Sequence, residues 1–255
     1  MAAVNPRPRS RTTTPPVPAF GSVAEFIELV KAFNPSGGRA WFRGQVDANW
    51  GLTPSVLRKQ EWIDHEVDML NRFKQLSVSR VSSPPSTNWA WVCLAQHHRL
   101  PTRLLDWSEN PLVALYFAVE VDERAPGKVF AMDPVSINAA NYGSNVGLLL
   151  LTDDDDRLKN YLPTAASSQA TKPLAVVAPQ SFDRVVAQSG TFTVSHPAHV
   201  ANDMVAESSS HIQSWTIPLT QKQSIRNELY KLGVNEASVY PDLDRISTMI
   251  RNEVA

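Results

Sequence analysis

Residues 91–120, WVCLAQHHRLPTRLLDWSENPLVALYFAVE, place two adjacent histidines, two arginines and an aspartate inside one of the most apolar stretches of the chain. Polar groups in such surroundings are costly unless they are paired. The segment therefore has two readings: its polar side chains tie a core together, or they form a site on a rigid apolar backing. Pro101 and Pro111 bracket the LLDWS turn and stiffen it, which serves either.

The rest of the chain sets limits on both. At 255 residues and 43% hydrophobic content there is enough apolar surface for one large domain. The formal charge is −1, and Arg7, Arg9 and Arg11 lie in the first 19 residues, so the remainder leans acidic and offers no broad basic platform for nucleic acid. The single cysteine, Cys93, excludes an intrachain disulfide framework. Set among Trp91, Val92 and Leu94, it reads as a buried, inert thiol. No apolar run reaches membrane-spanning length and the N-terminus has no signal-peptide core, so the chain reads as a soluble cytoplasmic protein.

Residues 1–19, rich in proline and arginine, have little to bury and are expected to form a disordered arm; the resemblance given below implies that it docks a regulatory partner. Residues 20–255 read as a single domain. Ser22 with Glu25 makes a capping box for a helix whose apolar face is Val23, Phe26, Ile27, Val30 and Phe33. RAWFRGQ alternates as a strand. Ile63, Val67, Leu70 and Phe73 predict a helix through 61–79, and a Trp-rich helix at 87–98 and an apolar helix at 110–122 follow.

KVFAMD, PLAVVAP, RVVAQ, TFTVS and QSWTIPL then read as short strands of a mostly antiparallel sheet. Polar residues 134–170 predict a long mobile insert, and the aspartates at 153–156 a solvated charge run. Thr220 with Gln223 suggests another capping box, Gly233 a helix end, and a last helix begins near Pro241. Helices first and strands later, without βαβ alternation, give an α+β fold.

Phosphate-loop, GxGxxG, HExxH and GxSxG motifs are absent. His97 and His98 are about 100° apart on a helix and cannot chelate one metal together, so no metal site is expected. Seven tryptophans, five of them within 41–91, read as core without a basic surround.

FRG at 42–44, LTPSVLR at 52–58, LAQHHRLPTRLLDWSENPLVALYFAV at 94–119, RVVAQSGTFTV at 184–194 and LGVNEASVYPDLD at 232–244 together resemble the FRG domain family, over residues 40 to 246. The order of these motifs also resembles that of ADP-ribosyltransferase-like folds: an arginine on an early strand, a short polar strand running into an Ala-rich helix, and a Gln or Glu on a later strand. This second resemblance implies a split-sheet fold with NAD as substrate, transfer of ADP-ribose to a protein or nucleic acid or hydrolysis of NAD, and a toxin-like role in bacterial conflict or phage defence.

Such chemistry passes through an oxocarbenium-like ribose and needs phosphate donors, a ribose anchor and an aromatic shelf. The candidate catalytic residues are Arg43, Asp106, Gln188 and Glu236, the last standing in for the acid absent at Gln188. Candidate nucleotide-binding residues are Arg43, with Gly44 letting a ligand come close, then Gln96, His98, Thr102, Arg103, Trp107, Ser108 and Tyr116. The alternatives stay open. Arg103 and Asp106 read equally well as a buried ion pair with Arg43 as its network partner, and His98 as a helix-end residue. The same cluster also suits a non-catalytic nucleotide- or protein-binding module, or a metal-dependent nuclease with His97 or His98 as base.

Overall fold

The computed structural model describes residues 17–36, 38–120, 124–165, 172–178, 186–196, 211–240 and 242–253. Most of the expected N-terminal arm, residues 1–16, lies outside the described residues. The next three residues already join the fold: Ala19 bridges Thr216, and the Thr216 amide donates to the Pro18 carbonyl at 2.9 Å.

Ser22 starts the first helix, α1 (Val23–Ala32), by accepting from the Glu25 amide at 3.2 Å. The Glu25 carboxylate turns back as the sequence suggests, but it accepts from the Gly21 amide at 2.7 Å, one residue earlier than in a standard capping box. The stripe predicted through 61–79 breaks at His65 into α2 (Gln60–Asp64) and α3 (Glu66–Ser77). The break rotates the stripe, so that Val67 is exposed and Glu66 is buried in its place. Thr87 then caps α4 (Asn88–His97), and Asp153 adds a second cap by accepting from the amides of Asn88 and Trp89 at 2.8 and 3.0 Å. Asp155 caps α7 (Asp156–Lys159), so the aspartate run is largely employed at helix starts.

Seven strands form one sheet: β1 (Trp41–Gln45), β2 (Leu104–Ser108), β3 (Gly127–Met132), β4 (Leu149–Leu150), β5 (Leu174–Val177), β6 (Gly190–Val194) and β7 (Ile212–Ile217). Their order is β4-β5-β6-β2-β1-β3-β7, antiparallel except between β4 and β5. The α+β class and the mostly antiparallel sheet expected from the sequence are both present.

Within the sheet, β1 pairs with β3 along its whole length and β2 does the same with β6. Between β1 and β2 only Phe42 and Ser108 are in register. The seven strands form one sheet whose halves, β4-β5-β6-β2 and β1-β3-β7, meet at a single paired position.

Alternation along the strands sorts the core. On one face, Phe42, Val129, Ala131, Trp215 and Ile217 pack with α1, with α5 (Pro111–Val119) and with α8 (Lys222–Lys231). Leu104, Val176, Phe192 and Val194 of the other half-sheet pack with α3 and α4. Trp41, Leu105, Trp107, Phe130 and Met132 form a third cluster that draws on both half-sheets.

α5 lies so close to β1 that a Cβ at Gly44 would sit 1.8 Å from the Ala114 carbonyl oxygen. The bare backbone at Gly44 thus admits α5, and the same residue also lines the cleft described below.

The insert expected at 134–170 carries structure: α6 (Pro134–Tyr142), β4 and α7, with residues 166–170 outside the described set. Asn138, fully buried, holds it by exchanging hydrogen bonds with the Ala175 backbone at 2.9 and 2.7 Å. Of the predicted strand RVVAQ, Arg184 and Val185 lie outside the described residues, and Val186 and Ala187 are helical.

The Thr220 and Gln223 capping box does not form. Pro218 leads into a 3-10 turn that absorbs Thr220, leaving Gln221 to start α8 without a side-chain cap. Gly233 ends α8 at φ 79 as its position suggested. The chain closes with α9 (Glu236–Val239) and α10 (Leu243–Glu253), the latter where a last helix was expected.

Candidate functional site

The polar cluster of residues 91–120 separates into a closed part and an open part. Arg103 belongs to the closed part. It is 3% exposed, binds the Glu66 carboxylate through Nε and Nη2, and donates from Nη1 to the Tyr161 carbonyl at 2.6 Å. Its partner is Glu66 and not Asp106, because Asp106 points the other way on β2. Arg103 is thus a core ion pair and no ligand-binding residue.

Thr102 is buried too, donating to Gln96 Oε1 at 2.5 Å and accepting from the Leu104 amide at 3.2 Å. Trp107 is 3% exposed, with its indole N–H on Thr193 Oγ1 at 3.1 Å; it packs in the core and also borders the cleft described next. Tyr116 packs against Phe117 and Tyr240, and burial, with Glu120 next in weight, pushes its phenol well up. It does not line the cleft described next.

The open part lies where β1 and β2 part. A cleft of about 390 Å³ there is lined from β1 by Arg43, Gly44 and Gln45, from β2 by Asp106, Trp107 and Ser108, from α5 by Ala114 and Phe117, and further by Trp50, Arg58, Glu120 and Gln188. Arg43 spans the parting, with Nη1 donating to the Asp106 backbone carbonyl at 2.6 Å. That bond takes the place of a ladder bond which the diverging strands cannot make. Its Nε is buried with no partner. Burial lowers the Arg43 guanidinium to about 10, Asp106 raising it and Arg58 lowering it further, so it stays cationic at neutral pH. Arg58 is shifted down in the same sense, again chiefly by burial.

Asp106 is exposed, and its carboxylate accepts from Gln96 Nε2 at 2.9 Å. Thr102, Gln96 and Asp106 therefore form a relay that orients the carboxylate from the core outward. Ser108 donates to the Gln188 carbonyl at 2.6 Å, fixing the turn before β6, while Gln188 Nε2 donates to the Val239 carbonyl at 3.0 Å. Arg43, Asp106, Ser108 and Gln188 are thus brought together as expected.

Glu236 is not with them: it begins α9 and pairs with Arg245 at 2.7 Å, away from the cleft lining. His98 also falls outside. It is exposed at the end of α4, where its amide donates to the Leu94 carbonyl at 3.1 Å. Sequence reasoning missed Gln45, Trp50, Arg58, Phe117 and Glu120. Two of these had a usable signal: Gln45 lies two residues after Arg43, on its side of the strand, and Phe117 lies beside Tyr116 on the same helix.

A second cavity of about 250 Å³ shares Asp106 and Gln188 with the first and is lined by Cys93, Gln96, His97 and Arg99 among others. Burial, with the Asp106 charge behind it, pushes the Cys93 thiol up to about 12, so the inert reading of this cysteine holds. Among the described residues no three His, Cys, Asp or Glu side chains gather to hold a metal ion. Nor, among them, is any helix long and apolar enough to cross a membrane.

Neither the curated proteins nor the solved structures contain a match to this chain. The FRG domain family model matches residues 38–126, a span holding every residue that lines the cleft except Gln188. The similarity to the FRG domain family thus covers residues 38–126, and the cleft is lined from that span together with one residue from the turn before β6.

Proposed function

We propose that the cleft binds NAD or a related nucleotide and that the protein is an ADP-ribosyltransferase-like enzyme or an NAD hydrolase. The observation that carries this reading is Arg43, a cation desolvated at the floor of an open cleft and given no carboxylate partner by the fold. An anionic ligand completes it, and guanidinium meets phosphate oxygens with paired donors. The cleft volume falls within the range of small-molecule sites.

Asp106 and Glu120 supply the carboxylates. In the reaction the bond from ribose C1′ to the nicotinamide nitrogen breaks and its electron pair leaves with nicotinamide. A water or an acceptor hydroxyl or amine then bonds to C1′ and gives its proton to a carboxylate. Negative charge beside the ribose stabilises the oxocarbenium-like transition state. Asp106, held by Gln96, is placed for that task, and Glu120 stands at the α5 wall, accepting from the Tyr240 hydroxyl at 3.2 Å. Consumption of NAD would harm the host cell, which fits an effector in bacterial conflict or phage defence.

Gln188, standing where an acid would be expected, favours a second reading, a module that binds nucleotide without turning it over. One experiment separates the two. Incubation with NAD labelled in the nicotinamide ring is expected to release nicotinamide, and release is expected to fall by about 10²-fold or more in Asp106→Asn or Glu120→Gln. Binding without release supports the module; neither binding nor release, with the fold intact, ends both.

A further inference from the structure

Arg43 and Gln45 are two residues apart on β1, on one side of the strand and on the order of 6.6 Å apart at Cα. Each carries a buried polar atom with no partner: a donor, Arg43 Nε, and an acceptor, Gln45 Oε1. Gln45 is 4% exposed, and its Nε2 donates to the Gly51 carbonyl at 3.2 Å, which fixes which end of the amide is left over. Buried polar atoms are nearly always satisfied, and an orphan calls for a specific cause. Of the other orphaned atoms among the described residues, on Trp89, Thr191 and Arg226, none lines this cleft. A donor and an acceptor left over side by side on the strand that floors the cleft have complementary needs.

We propose that Arg43 and Gln45 recognise an amide-like edge of the ligand, an acceptor atom beside an N–H, as found in a primary carboxamide or an aminopurine. Phosphate and carboxylate groups satisfy Arg43 alone and leave Gln45 Oε1 empty, because neither carries an N–H at neutral pH. The guanidinium serves two partners at once: Nε faces the amide-like group, while Nη1 stays on the Asp106 carbonyl and Nη2 is left for an anion. The inference rests on the reading of the cleft as a nucleotide site and adds which part of the nucleotide lies against β1. Gln45 is then a specificity residue, selecting ligands that offer a proton.

Calorimetric titration of the wild-type protein tests this with two ligand pairs, nicotinamide against N,N-dimethylnicotinamide and adenosine against N6,N6-dimethyladenosine. The N–H form is expected to bind at least about tenfold more tightly in one pair, the effect of one hydrogen bond, and the pair that discriminates names the source. Gln45→Met is expected to abolish that preference. Because the ligand pairs are compared on the wild type, a variant that fails to fold leaves the test standing. Equal affinity within both pairs, no binding of any of the four, or a preference that survives in folded Gln45→Met overturns the proposal. Labelled NAD run in parallel keeps the two readings apart. Nicotinamide release without N–H preference ends the Gln45 assignment alone, and N–H preference without release ends the enzymatic reading alone.

Discussion

Arg103 and Arg43 lie on the segments of neighbouring strands, one on the approach to β2 and the other within β1, and the fold treats them in opposite ways. Arg103 is given a carboxylate: it donates two bonds to Glu66 and one to the Tyr161 carbonyl, in a place 3% exposed. Arg43 receives one carbonyl, keeps an orphaned Nε, and faces a cleft. A chain that needs an arginine for cohesion supplies the carboxylate itself. One that leaves the carboxylate out, while still paying to desolvate the cation, has reserved the remaining donors for something else.

The contrast is sharpest where a carboxylate is removed. Glu66→Ala leaves Arg103 buried and uncompensated and is expected to lower stability by about 3–5 kcal/mol, visible as a large fall in Tm. The replacement of both members, Glu66→Leu with Arg103→Met, is expected to recover much of that loss. A small effect of Glu66→Ala would mean that the pair is no more than incidental and would dissolve the comparison.

A smaller effect is expected at the strand that carries Arg43. Gly44→Ala sets a methyl group 1.8 Å from the Ala114 carbonyl oxygen, so α5 must move off β1. Overpacking of this kind is expected to cost about 1–3 kcal/mol and, because α5 also supplies Phe117 to the cleft, to weaken nucleotide binding with it. Thermal melts and titrations on the same variant check whether the two losses travel together; unchanged binding in a destabilised variant would separate the cleft wall from the packing.

These cases also show what could be read from the chain beforehand. The strand at RAWFRGQ, the apolar α5 and the antiparallel second half follow from local periodicity, which needs no partner to be legible. That Arg43, Asp106, Ser108 and Gln188 would meet was readable from motif order. The partner of Arg103 was not, because Glu66 appeared as a polar residue beside the stripe Ile63, Val67 and Leu70. Only the break at His65, a feature of chain path, turns Glu66 inward. The second role of Gly44 was not legible for a related reason: a bare backbone in sequence admits a ligand or a helix alike, and only the tertiary contact shows that α5 packs there as well. Glu236 looked available until α10 brought Arg245 against it.

Arg43→Lys separates binding from stability. Lysine keeps the charge and loses the fork of donors, so NAD binding is expected to weaken by about 1–3 kcal/mol while Tm stays close to that of the wild type. Since burial leaves Arg43 near 10, its charge does not titrate between pH 6 and 8, and the wild-type Arg43 contribution to binding is expected to be flat across that window. A large fall in Tm without a binding defect would place Arg43 beside Arg103 as a structural residue.

Asp106→Asn is expected to have the smallest effect on stability and is the most direct counterpart to Glu66→Ala. Both substitutions take a carboxylate from the neighbourhood of an arginine. At Asp106, however, the arginine holds the backbone carbonyl, which the substitution leaves in place, and the side chain is exposed, so water takes over much of its solvation. The Gln96 amide still finds an oxygen on the new side chain. Stability is therefore expected to change by less than about 0.5 kcal/mol. Arg43 loses the charge that raises it and moves further down, which favours an anionic ligand over an empty cleft. Nucleotide affinity is then expected to hold or rise while nicotinamide release falls, a division that a structural role for Asp106 cannot produce. A fall in Tm comparable to that of Glu66→Ala would show that the two arginines are supported alike.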